Sequence, residues 1–98
     1  MPLYSFVFDV HPRPDSREYG HIRTREVEIW IPKNGQSAAA QEARRIVNGS
    51  GYEIDWEGEV REWDVTSEAL RSTYPLRELL PAIRREGFAF VYCWADEA

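Results

Sequence analysis

Residues 3–10, Leu-Tyr-Ser-Phe-Val-Phe-Asp-Val, alternate with a period of two and carry apolar groups on both sides. Tyr4, Phe6, Phe8 and Val10 share one face; Leu3, Ser5, Val7 and Asp9 share the other. A period of two specifies a strand, and apolar groups on both faces place that strand inside a sheet. Residues 88–95 have the same character. Phe88, Phe90, Tyr92 and Trp94 oppose Ala89, Val91, Cys93 and Ala95, which predicts a second central strand. Any fold for this chain is therefore built round a sheet.

The remaining segments supply its other parts. Residues 11–21, HPRPDSREYGH, form a loop stiffened by Pro12 and Pro14. A second strand over 22–32 sets Val27, Ile29 and Ile31 against Glu26, Glu28 and Trp30. Pro32 to Gly35 end it, and Asn34 or Ser37 can cap a helix over about 37–48. Ala39, Ala43, Ile46 and Val47 form that helix's apolar stripe, and Gly49 suits its left-handed end. A third strand spans 52–63, with Tyr52, Ile54, Trp56 and Val60 inward and a bulge expected near Gly58–Glu62. Residues 66–86 are helical but interrupted. Leu76, Leu79, Leu80 and Ile83 give a stripe, Pro81 predicts a kink or a break, and Gly87 a stop.

The order is β-β-α-β-α-β in one α+β domain over residues 1–98. The expected form is a two-layer sandwich: a four-stranded mixed sheet with two helices on one face. In layout it resembles the ferredoxin-like group of folds, with a different element order. Such a resemblance implies architecture and no function.

Charge narrows the function. The net charge is −5. All of it lies between residues 53 and 64, where Glu53, Asp55, Glu57, Glu59, Glu62 and Asp64 face only Arg61. Glu53, Asp55, Glu57 and Glu59 are expected to form an acidic stripe on one side of an edge strand. Such a stripe protects an edge or attracts a basic partner. It argues against general nucleic-acid binding, which depends on neutralising phosphates. With both helices on one side, the other sheet face is left open, presenting Trp30, Glu26, Glu28, Val91 and Cys93. An open apolar patch of this kind marks an interface, either with a second copy or with a basic partner.

The loop supplies the competing readings. His11, Arg13, Arg17, Tyr19 and His21 are its candidates, with Asp9 near His11. His11, His21 and Asp9 suggest a small enzyme or ligand-binding domain. The arginines of residues 13–25 suggest nucleic-acid contact. No spacing matches a metal site, no glycine-rich loop opens a helix, and no cofactor is expected. Cys93, the one cysteine, cannot form an internal disulfide and has no electropositive setting that would make it a nucleophile. The opening apolar run is too short for a membrane span and lacks a signal peptide's basic start, so a cytoplasmic location is expected. In size and charge the chain is similar to small acidic bacterial or phage inhibitors, such as nuclease-immunity and anti-CRISPR proteins. The leading expectation is a non-enzymatic protein-interaction module, as a homodimer or on a protein partner.

Overall fold

The computed structural model describes residues 2–98. Its elements are β1 (Leu3–Pro12), β2 (Ile22–Pro32), α1 (Gln36–Gly49), β3 (Tyr52–Trp63), α2 (Glu68–Arg71), α3 (Leu76–Glu86) and β4 (Ala89–Glu97). The α+β class, the four strands and the element order are those expected from the sequence. The strand order is β3-β1-β2-β4. Every neighbouring pair is antiparallel, so the sheet is antiparallel rather than mixed.

Connectivity explains this arrangement. β2 returns beside β1, pairing Leu3 with Pro32 and Val10 with Arg25. α1 then runs back along the sheet, so that Tyr52 of β3 starts opposite Pro12. Tyr4, Phe6, Phe8, Val10, Val27, Ile29 and Ile31 pack there against Ala39, Ala43, Ile46 and Val47 of α1. The alanines allow the helix to come close to the strands. α1 opens on Gly35 without a side-chain cap, so neither Asn34 nor Ser37 caps it. Its end also differs, for Gly49 stays helical and the left-handed residue is Gly51.

The second long helix is on the other side, which corrects the expectation of two helices on one face. Leu76 and Ile83 of α3 are buried with Leu3, Trp30 and Ala89, while Trp63, Val65, Leu79, Leu80 and Val91 pack around them. These strand residues have the opposite parity to the α1 cluster. β3 ends opposite Leu3 and β4 begins opposite Trp30, at the same end of the sheet. The helical segment between them therefore has no need to run the length of the strands. Eleven residues of α3 rise about 16 Å, close to the width of four strands spaced about 4.8 Å apart. α3 covers one end of its face and leaves the other end open.

Two other expectations change. β4 is an edge strand, paired on one side to β2. It is apolar on both faces because Phe90 reaches the α1 cluster while Ala89 and Val91 lie under α3. Pro81 sits within a continuous α3, without a break. The carbonyl that its missing N–H would have served belongs to Arg77, and both residues are exposed, so that carbonyl is open to solvent. Ser67 Oγ accepts from Leu70 N at the start of α2, and Gly87 closes α3 at φ 84°.

Candidate functional site

Bulges decide what β3 presents. Val10 pairs with Ile54 and Asp9 with Trp56, so Asp55 is an extra residue on β3. A second shift follows, because Phe8 pairs with Glu57 and Phe6 with Val60. Each bulge resets the alternation of side chains. Tyr52 and Ile54 keep to the α1 face as expected, but Trp56 moves to the α3 face and Glu57 to the α1 face.

The acidic stripe is therefore not one face, which corrects the sequence expectation. Asp55 Oδ1 lies 2.7 Å from His11 Nδ1. Glu57 accepts two bonds from Arg44 of α1, at 2.9 and 2.8 Å. That guanidinium holds the Glu57 carboxyl below its usual range. Glu59 lies 3.9 Å from Arg61. Glu53 stands opposite His11 and has no ion-pair partner among the described residues. The repulsion expected of four aligned carboxylates is relieved by turning them in different directions.

What the bulges assemble instead lies on the open end of the α3 face. Residues directly opposite one another in neighbouring strands share a face. Trp56 stands opposite Asp9, Asp9 opposite Glu26, and Glu26 opposite Trp94. The last pairing depends on a bulge in β4, where Cys93 is the extra residue between Tyr92 and Trp94. One row thus crosses all four strands: tryptophan, carboxylate, carboxylate, tryptophan. Its length is three strand spacings, about 14 Å.

The two indoles are held in place yet open. A Cβ built on Gly58 would meet the Trp56 ring at 2.5 Å, so the ring lies against the bare backbone there. Its other side is free, and Trp56 is 59% exposed. Trp94 is 47% exposed, and its Nε1 donates to Glu26. Glu28, one step along β2, accepts from Trp30 Nε1 at 2.7 Å. Trp30 itself was expected on this open face, but it is 1% exposed beneath α3, with its ring centroid 4.9 Å from that of Trp63. Val91 is half-buried beside it, and Cys93 is exposed.

The Cys93 residue is exposed but its thiol is partly desolvated, and this, then Glu28 and Glu26, push its pKa up to about 11. This yields a test of the local field. At pH 8 iodoacetamide should alkylate Cys93 about tenfold more slowly than a free thiol, the smaller thiolate fraction being partly offset by higher nucleophilicity. Glu26→Gln with Glu28→Gln should recover part of that rate. An unchanged rate in the double variant would remove the carboxylates as a cause.

The loop candidates are placed elsewhere. Arg13, Ser16, Arg17, Glu18, Gly51 and Tyr92 line an open cleft of about 450 Å³ between the loop and the turn leading into β3. Neither His11 nor His21 lines it. Arg25 Nη2 donates to Glu18 at 2.7 Å and its guanidinium lies 4.8 Å over the Tyr92 ring, while the Tyr52 hydroxyl also donates to Glu18. Arg13 faces Asp15 at 3.4 Å and Arg23 faces Asp96 at 3.5 Å. Tyr19 is 57% exposed and His21 is exposed near the start of β2. Among the described residues no group of three or more His, Cys, Asp or Glu is placed to hold a metal ion. Among the described residues no helix is long and apolar enough to cross a membrane.

The tryptophan pair and the Glu18–Arg25–Tyr52 cluster escaped the sequence reading. Gly58, two residues after Trp56, was the one local sign of a ring laid over backbone. Compared with protein-family models, with curated proteins and with solved structures, the chain matches none.

Proposed function

We propose that this chain is a non-enzymatic protein-interaction module, of the inhibitor or immunity type, that seats a basic segment of a partner protein on the open end of its α3 face. The row Trp56–Asp9–Glu26–Trp94 carries the reading. Carboxylates attract a cationic side chain and orient it, and an indole face adds a cation–π contact on each side. Glu28 and the His11–Asp55 pair lie beside the row and extend its polar character. Each carboxylate keeps an oxygen for a partner even where an indole N–H occupies the other.

The probe is a ten-residue arginine peptide titrated against tryptophan fluorescence. Salt-sensitive quenching is expected, since exposed charges act within a Debye length. Asp9→Lys with Glu26→Lys should weaken binding by about tenfold or more, and Trp56→Ala by about threefold. Glu59→Lys, off the row, changes net charge in the same sense and serves as the control. If that control weakens the peptide as much as the row variant does, only net charge is being read and the site is wrong.

A further inference from the structure

β3 and β4 are the two free edges of the sheet, and they are built differently. β3 carries two bulges and a charged residue at almost every other position, which blocks a further strand. β4 itself carries one extra residue, Cys93, the second irregularity of its ladder being Arg23 on β2, and from Ala89 to Ala95 it has neither a charge nor a proline. Its first residues lie under α3, but Tyr92 to Glu97 are exposed. An uncharged edge of this length is a template for strand addition.

We infer that β4 pairs antiparallel with β4 of a second copy of this chain, joining two sheets into one across a twofold axis. Symmetry favours this occupant. One contact consumes the open edge of both copies, and the bulged, charged β3 edges stop further growth. Charge complementarity fixes the direction. β4 ends in Asp96 and Glu97, and it begins three residues after α3 ends. In the last turn of α3, Arg84 and Arg85 outnumber Glu86, and Arg85 Nε lies 3.1 Å from Glu86. Antiparallel pairing turns the acidic end of each copy toward the basic helix end of the other; parallel pairing would set like against like. Arg84 has no ion-pair partner among the described residues, and the Arg23–Asp96 contact is long and exposed, so both groups are free to rearrange. A basic segment suits the carboxylate row but gains nothing from this uncharged edge. The inference concerns the backbone edge of β4 rather than the sheet face to which β4 contributes Trp94, and it stands without the proposed function.

Light scattering over a concentration series should show a monomer–dimer equilibrium ending at twice the chain mass. Amide exchange should show concentration-dependent protection confined to β4, residues 89–97. Cys93→Lys with Ala95→Lys places four like charges about the axis and should raise the dimer Kd roughly a hundredfold, with thermal melting as the check on folding. Arg84→Glu with Arg85→Glu should raise it about tenfold without touching the strand, and adding Asp96→Lys with Glu97→Lys should restore it. A monomer at every concentration overturns the inference. So does a dimer that survives the lysine pair, or one whose protection maps to Trp56 and β3.

Discussion

Trp30→Ala is expected to destabilise the protein by about 3–5 kcal/mol, which is a large share of the stability of a domain this size. Three losses add. The indole is 1% exposed among Leu3, Leu76, Ile83 and Ala89, so truncation leaves a cavity that small neighbours cannot fill. Its contact with Trp63, 4.9 Å between centroids, disappears. Glu28 also loses the indole N–H at 2.7 Å, although it can turn to water. Trp30→Phe keeps most of the volume and should cost about 1–2 kcal/mol. The lesion is confined to the α3 face. α3 buries only Leu76 and Ile83, so it is expected to undock before α1, whose cluster is on the other side of the sheet. Urea unfolding measures the total cost. Amide exchange measures its distribution: residues 76–86 should lose protection well ahead of residues 36–49. Equal loss in both helices would mean that the two clusters behave as one core.

That separation into two clusters was only half legible in the sequence. The α1 face could be read directly, because Phe6, Phe8, Val27, Ile29 and the Ala39–Val47 stripe share simple periods. The stripe of Leu76, Leu79 and Ile83 is equally regular, but a helix stripe carries no information about which sheet face receives it. The deciding residues were Leu3, Trp30 and Ala89, apolar on the opposite parity. Trp30 between Glu28 and Pro32 looked solvent-facing, yet its buried N–H is satisfied by Glu28, two residues away on the same face. The candidate site failed to appear for a different reason. Parity arguments assume an unbroken ladder, and Asp55 and Cys93 are each one residue too many. The bulge expected near Gly58–Glu62 matches the second irregularity of β3. The first, at Asp55, left no mark, because Ile54 and Trp56 continue the apolar alternation across it. One inserted residue thus dispersed the acidic stripe and carried Trp56 to the face where Trp94 also lies.

Arg25→Ala should be the second most damaging change, at about 3 kcal/mol, because it breaks a mostly buried ion pair rather than a surface one. The Arg25 side chain is 15% exposed, and Glu18 lies 2.7 Å away at 32%. Removing the guanidinium also strips the cation from the Tyr92 ring. Lysine should rescue poorly, since one ammonium cannot both reach Glu18 and cover the ring. Glu18→Gln on the Arg25→Ala background should recover part of the loss, because the stranded charge is gone while the Tyr52 hydroxyl keeps an acceptor. The same cluster sets an alkaline limit. Burial, and then the bond to Glu18, push the Tyr52 phenol well above its ordinary range. Below about pH 10 both folded and unfolded chains keep the proton, and the contribution is complete. Above it the unfolded chain releases a proton that the folded chain retains, so stability falls by about 1.4 kcal/mol per pH unit. Burial pushes the Tyr4 phenol up as well, assisted by Glu62, so Tyr52→Phe should flatten this limb without abolishing it. At neutral pH that variant should cost about 1 kcal/mol for the lost hydrogen bond. Urea midpoints between pH 8 and about pH 11.5 measure both effects. An alkaline slope identical in wild type and Tyr52→Phe would mean that neither burial nor Glu18 holds the proton on the phenol.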